Sequence, residues 1–294
     1  MKITALHIHG TGPFRLKTKE LNTPFQIEDF ELLCTILSAL MWRKYNGRIK
    51  LYTDKLAYDY YKSLNMLDLW DGGVDCDVLE SIPSDINQEI FWACAKLFAI
   101  RNEETPVMMI DTDLIVWKNI TRLLESKKFA VLHREPFNDV YISFDLLKKR
   151  EGYMPDPDWD WSVLPCNTAL AYFNQPDFLK YYTDCAIDFM RGNQEYPMEM
   201  VTQMVFAEQR IISMCAQKMN IPIFHFMDDP FEKGNKTFTH LWGGKSVARK
   251  MDKQRHILCT AMLRRLHKEL PDYEFPSQQL RDLFQPYETQ IEEE

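Results

Sequence analysis

Ten residues in the middle of the chain, Val107-Met-Met-Ile-Asp-Thr-Asp-Leu-Ile-Val116, restrict its fold more than any other stretch. Four apolar residues lead into Asp111 and three follow Asp113, so the run reads as a buried strand carrying two carboxylates into an apolar setting. With a side-chain period of two, Asp111 and Asp113 are expected on one face of that strand. Two like charges held side by side away from water need a positive partner. A divalent cation with oxygen ligands is the usual one, and it can in turn hold a phosphate. The plainer alternative is a strand running into a surface turn whose acids are solvated. The apolar flanks favour a metal-binding or catalytic role over it.

A chain of 294 residues can bury a sizeable core, as one large domain or one domain with a helical appendage. Its net charge of −8 excludes the basic field of a general nucleic-acid binder. No apolar run approaches the ~20 residues that span a bilayer. The opening strand, residues 3–9, is too short and interrupted for a secretory leader. Seven scattered cysteines without a CxxC pair indicate neither a zinc knuckle nor a disulfide framework, and are expected to be core thiols of a cytosolic protein.

Strand-like and helix-like segments alternate, which predicts an α/β sheet. Strands are expected at 3–9, 48–53, 107–116, 129–133, 168–173 and 221–226, and helices at 30–45, 57–64, 88–100, 177–191 and 198–220. Gly72-Gly73 marks a turn. Residues 134–165 show no period and are rich in Pro, Asp and aromatics, as functional loops often are. Residues 228–245 read as a polar loop, 246–270 as one basic amphipathic helix, and Glu292-Glu293-Glu294 as a solvated tail. The expected division is a catalytic unit over 1–245 and a C-terminal helix with tail over 246–294.

A metal at Asp111 and Asp113 needs a further ligand. His240, in Thr239-His-Leu-Trp-Gly-Gly-Lys245, is the best candidate, and Gly243 and Lys245 suit a diphosphate: glycine admits backbone amides to phosphate oxygens and lysine adds a cation.

An apolar run ending in Asp-x-Asp resembles the metal-binding signature of glycosyltransferases of the GT-A fold. His240-Leu-Trp-Gly-Gly-Lys245 is similar to the His-x-x-Gly-x-x-Lys of retaining members such as the glycogenin and galactosyltransferase group (family 8), with one residue fewer before the lysine. Leu51-Tyr-Thr-Asp54 resembles the early strand of mannosyl- and galactosyltransferases of family 32. Phe91-Trp-Ala-Cys-Ala-Lys96 resembles the helix before Asp-x-Asp, Lys96 standing at the family's Arg and Ala93 at its Asp. Cys166-Asn167-Thr168 resembles the Phe-Asn-x-Gly strand lining the sugar pocket, and Glu208-Gln209 the acidic-Gln pair beyond it.

The resemblance, over 48–245, implies a divergent bacterial-type member: a mixed sheet flanked by helices with a C-terminal helical extension. It implies transfer of a hexose from a nucleoside-diphosphate sugar, UDP- or GDP-linked, to a saccharide or lipid-linked acceptor in surface polysaccharide synthesis. The ion expected is Mn2+, or Mg2+, on Asp111, Asp113 and His240, with Lys96, Asn167, Gly243 and Lys245 contacting the donor. Retention of configuration needs no protein base; inversion needs a carboxylate, and Glu208 is the candidate.

Trp159 and Trp161 could stack on an acceptor sugar, although packing is the default for both. The basic residues of the last helix, Arg249 to Lys268, suit peripheral contact with an anionic membrane at its cytoplasmic face, or pairing with acids, the more common outcome. Two rival readings remain: a haloacid-dehalogenase-like phosphatase with Asp228-Asp229 as its second acidic pair, and an inactive sugar-nucleotide-binding protein.

Overall fold

The computed structural model describes residues 3–18, 24–229 and 235–293. Within them the alternation of the apolar runs sorts side chains to two sides of one sheet. Val107 and Met109 join a cluster with Leu97, Phe178 and Ile212, while Met108 and Ile110 join another with Leu33, Leu37 and Leu263. Both faces are therefore covered, and each fully buried aliphatic side chain contributes roughly 1.5–3 kcal/mol.

The first half winds outward from its first strand. β1 (Ala5–His9) is followed by α1 (Gly12–Thr18), α2 (Asp29–Tyr45), β2 (Ile49–Thr53), α3 (Lys55–Ser63) and the short β3 (Val74–Asp75). The predicted turn between α3 and β3 holds Gly73 at φ +97°, a left-handed conformation that glycine adopts without strain. Asp54 caps α3, its carboxylate accepting from Ala57 N at 3.1 Å. The chain then crosses to the other side of β1 through α4 (Cys94–Arg101) and β4 (Val107–Ile110). Next come β5 (Leu114–Val116), β6 (Phe129–Arg134), β7 (Cys166–Phe173), α5 (Pro176–Met190), α6 (Met200–Val205) and α7 (Ile211–Lys218). β8 (Ile223–Met227), β9 (Phe238–His240), α8 (Gly244–Lys250), α9 (Asp252–Glu269) and α10 (Gln278–Glu293) complete the described order.

The main sheet runs β3-β2-β1-β4-β7-β6-β8. β2, β1 and β4 are parallel, whereas β7 is antiparallel to both β4 and β6. The winding reverses between β1 and β4, so the crevice beyond their carboxyl ends is a topological switch point, where open α/β sheets bind ligands. β5 and β9 form a separate antiparallel pair beside it. This mixed, helix-flanked sheet with C-terminal helices is the expected GT-A-like architecture.

Several local expectations change. The run Val107–Val116 is two strands, not one: Asp111-Thr112-Asp113 is a turn, closed by Leu114 N donating to Asp111 O at 3.0 Å. The main sheet stops there because Leu114 pairs with β9 instead. The helix expected from Gln88 starts at Cys94, since the Asn87 side chain accepts from Glu89 N at 3.0 Å and holds the preceding residues as turns. The 198–220 helix contains a π-helical segment, Phe206–Arg210. The 228–245 loop, of which 230–234 lie outside the described residues, contains β9 and the start of α8. The 246–270 helix is α8 and α9, broken at an extended Met251. α10 has no counterpart in the sequence pattern, because Pro286 lies inside it. Glu294 of the acidic tail lies outside the described residues.

α9 and α10 bury Leu263, Leu266, Leu280 and Phe284 in the same cluster as α2. Three of the basic side chains in this segment meet acids: Arg249 on Glu31 at 2.6 Å, Arg255 on Glu28 at 2.7 Å and Arg265 on Glu269 at 2.7 Å. Among the described residues no helix is long and apolar enough to cross a membrane. All seven cysteines are free thiols, five of them buried.

Candidate active site

The β5–β9 pairing assembles the acidic site. It sets His240 opposite Leu114, one residue past Asp113, and Leu241 N donates to Asp113 O at 3.0 Å. The result brings His240 Nε2 to 3.6 Å from Asp113 Oδ2. One ligand atom from each of Asp111, Asp113 and His240 lies within 4.8 Å of the other two. Two carboxylates and an imidazole suit a divalent cation, which Asp111, Asp113 and His240 would hold by one ligand atom each.

Two lysines converge on the same carboxylates. Lys96, on α4, places Nζ 2.6 Å from Asp111 Oδ1 and 2.8 Å from Glu208 Oε1. Lys245, in the first turn of α8, places Nζ 2.8 Å from Asp113 Oδ2, so the short spacing after Gly243 delivers the ammonium onto the acidic pair. Burial alone disfavours a charge on Lys96, but Asp111 and then Glu208 outweigh it and raise its pKa. For Asp113 burial pushes upward, and Lys245 followed by His240 hold the carboxyl below its usual range. Burial lowers the His240 pKa against the pull of Asp113 and Asp111. The imidazole therefore favours its neutral form, the one that ligates metals.

A cavity of about 350 Å3 opens from this cluster. Two polar pairs line it besides the acidic cluster: Asn167 Nδ2 donates to Glu135 Oε1 at 2.9 Å, and Tyr141 donates to Gln209 Oε1 at 2.5 Å. Glu208 sits in the π-helical segment, a local insertion that redirects side chains and is frequent at functional sites. Its Oε1 accepts from Lys96 Nζ and from Thr168 Oγ1 at 2.6 Å.

Of the residues singled out in the sequence, Asp111, Asp113, His240, Lys96, Lys245, Asn167 and Glu208 all line this one cavity. Gly243 lies between Trp242 and Lys245 at φ −65°, outside the cavity wall. Trp159 and Trp161 are elsewhere: Trp159 is buried, with Nε1 donating to Tyr181 at 3.3 Å, and Trp161 stacks on Phe206 at 6.0 Å. Asp54 is used structurally, accepting from Thr11 Oγ1 at 2.7 Å besides capping α3. Glu135, Trp92 and Trp242, to which the sequence assigns no role, also line the cavity. Glu135 carried a usable signal, an acid immediately after a buried strand, as Asp111 does.

The phosphatase alternative has no support. Asp228 follows β8, three strand spacings or about 14 Å from β4 across the sheet. It is exposed and pairs with His225 at 2.8 Å.

Fold and site together define a GT-A-like protein with a candidate divalent-cation centre. The chain belongs to the family described as a family of unknown function (DUF6734), which it matches over residues 15–276. No curated protein sequence matches it. Likeness to solved structures is distant. Mouse xyloside xylosyltransferase 1 in its apo form shows 9% identity and a TM-score of 0.37, with 77% of this chain and 85% of that one covered. The bifunctional glycosyltransferase WbbM shows 11% and 0.44, with 76% and 38% covered. The CTP:phosphocholine cytidylyltransferase of Streptococcus pneumoniae shows 10% and 0.39, with 84% and 98% covered.

Proposed function

We propose that this protein is a divalent-cation-dependent glycosyltransferase that moves a hexose from a nucleoside-diphosphate sugar to a saccharide or lipid-linked acceptor. The observation that carries the reading is the convergence of Asp111, Asp113 and His240, with two lysines, at the switch point of the sheet. The imidazole in the donor set favours Mn2+ over Mg2+. When bound, the cation supplies Lewis-acid stabilisation of the departing diphosphate.

The chain's own groups account for the rest. Lys245 and Lys96 are long enough to swing from the carboxylates to phosphate or sugar oxygens, keeping positive charge where the leaving group gains negative charge. Glu135 and Asn167 present a carboxylate and an amide to sugar hydroxyls. Glu208 Oε1 is already occupied by the Lys96 ammonium and the Thr168 hydroxyl. That supports retention of configuration: the acceptor oxygen bonds to the anomeric carbon as the carbon–phosphate oxygen bond breaks. The electron pair stays on the leaving phosphate, which takes the acceptor's proton.

The test is thermal stability against UDP, GDP, CDP and ADP, with and without Mn2+. One nucleotide should raise the midpoint by several degrees only with the metal, and Asp111→Asn or His240→Ala should abolish the shift. No shift with any nucleotide would rule the reading out. A shift without turnover of any sugar nucleotide would instead identify an inactive binding protein.

A further inference from the structure

Two tryptophans stand at the cavity where a folded chain has every reason to hide them. Trp92 is 46% exposed and Trp242 48% exposed, and both line its wall. Trp92 sits between residues that are buried: the turn before α4 packs Ile90, Phe91 and Ala93 inward and leaves the indole out. Trp242 is held by an unfavourable backbone, φ +25°, which a bulky residue rarely adopts. Its ring lies parallel to His240, with centroids 6.4 Å apart and planes within 13°.

The surroundings select the ligand. Asn138, Glu135 and Gln209 line the same cavity and offer planar amides and a carboxylate for hydroxyl groups. Lys96 and Lys245, the two lysines on the wall, are the groups assigned to the donor's diphosphate, and no further lysine or arginine lines the cavity among the described residues to receive an anionic acceptor. Aromatic faces beside planar polar groups match a pyranose ring, whose C–H face is apolar and whose edge is a belt of hydroxyls.

We propose that Trp92 and Trp242 form the acceptor subsite, two aromatic platforms that take a pyranose ring of a neutral saccharide by its C–H face. The proposal rests on the glycosyl-transfer reading and names the class of its acceptor. Because Trp242 also stacks on His240, an acceptor ring on this indole lies within one side chain of the metal centre, where the new bond must form. Trp159 and Trp161, packed against Tyr181 and Phe206, take no part.

The experiment is saturation-transfer NMR on the full chain with methyl glycosides of glucose, galactose, mannose and N-acetylglucosamine, together with lactose and maltose. At least one should bind the wild type. Its affinity should fall about tenfold or more in Trp92→Ala and in Trp242→Ala, stay unchanged in Trp161→Ala, and return largely in Trp92→Phe, which keeps a platform. The nucleotide- and Mn2+-dependent thermal shift is measured on each variant. It should survive in Trp92→Ala, which separates loss of a subsite from loss of fold. Equal saccharide affinity in the tryptophan variants, or no contact with any glycoside, overturns the subsite whether or not nucleotide binds. Saccharide binding that depends on both tryptophans, without any nucleotide shift in the wild type, upholds the subsite and overturns the transferase reading instead.

Discussion

Lys96 Nζ lies 2.6 Å from Asp111 Oδ1, so the first carboxylate of the Asp-x-Asp turn is neutralised by the chain's own ammonium. The same nitrogen reaches Glu208 at 2.8 Å, and both Lys96 and Glu208 are largely withdrawn from water. Removing the cation strands a buried carboxylate. Lys96→Met is therefore expected to destabilise the fold by about 3 kcal/mol or more. The double variant Lys96→Met/Glu208→Gln should recover most of that in urea denaturation; no recovery would show that the loss comes from α4 packing.

The same double variant bears on the metal. A cation entering the wild-type site must compete with the ammonium for Asp111. Without Lys96, Mn2+ titrated calorimetrically should bind about tenfold more tightly, a gain of about 1.4 kcal/mol. Unchanged or weaker binding would mean that Lys96 merely orients the carboxylate.

Two histidines of β1 set an acid limit on stability. Burial, reinforced by His9, lowers the His7 pKa to about 3, and burial lowers that of His9 to about 4 despite the pull of Asp54. Below about pH 6.5 the unfolded chain binds these protons and the folded chain does not. Stability is thus full above that pH and falls as pH drops toward the folded values, by roughly 1.4 kcal/mol per pH unit for each histidine. Denaturation at pH 7.5, 6 and 5 should show this slope. Nitrogen NMR should find His7 neutral at pH 5 with its proton on Nε2, because Trp70 Nε1 donates to Nδ1 at 3.2 Å and Ser38 lies 2.9 Å from Nε2. A protonated His7 at pH 5 would refute the assignment.

Asp29 ties the C-terminal helices to α2. Its carboxylate accepts from Arg255 Nε at 2.6 Å and from the Tyr287 hydroxyl, joining α2, α9 and α10 at one buried point. Asp29→Asn should lower the unfolding free energy by roughly 2–3 kcal/mol, since a neutral amide leaves Arg255 poorly matched. A change under about 0.5 kcal/mol would indicate that the apolar contacts of Leu263, Leu280 and Phe284 hold these helices without it.

What could be read along the chain was what local periodicity encodes. The buried strands are built on the apolar runs 107–110, 129–132 and 169–173, and α2 follows Leu32, Leu33, Ile36, Leu37 and Leu40. The acidic pair was also visible, though its geometry was misread: a turn, not the strand pleat, brings Asp111 and Asp113 together. The π-helical segment around Glu208 left no mark in the sequence, because one extra residue per turn does not alter composition. Trp92 and Trp242 lie inside two of the motifs read along the chain, but nothing local tells that their indoles face the cavity, whereas Trp159 is buried and Trp161, partly exposed, stacks on Phe206 away from it.

The sequence alone determined the class of fold and the nature of the site, an acidic pair delivered by an apolar strand, because both follow from the pattern of neighbouring residues. His240, Lys96 and Glu208 were candidates along the chain, but only the tertiary structure decided that they meet the acidic pair and how. His240 arrives through the β5–β9 pairing, Lys96 from α4 and Glu208 from a distorted helix, and each approach depends on strand order and helix packing. Such contacts are set by which apolar faces can be buried together, a property of the whole chain that no local stretch contains.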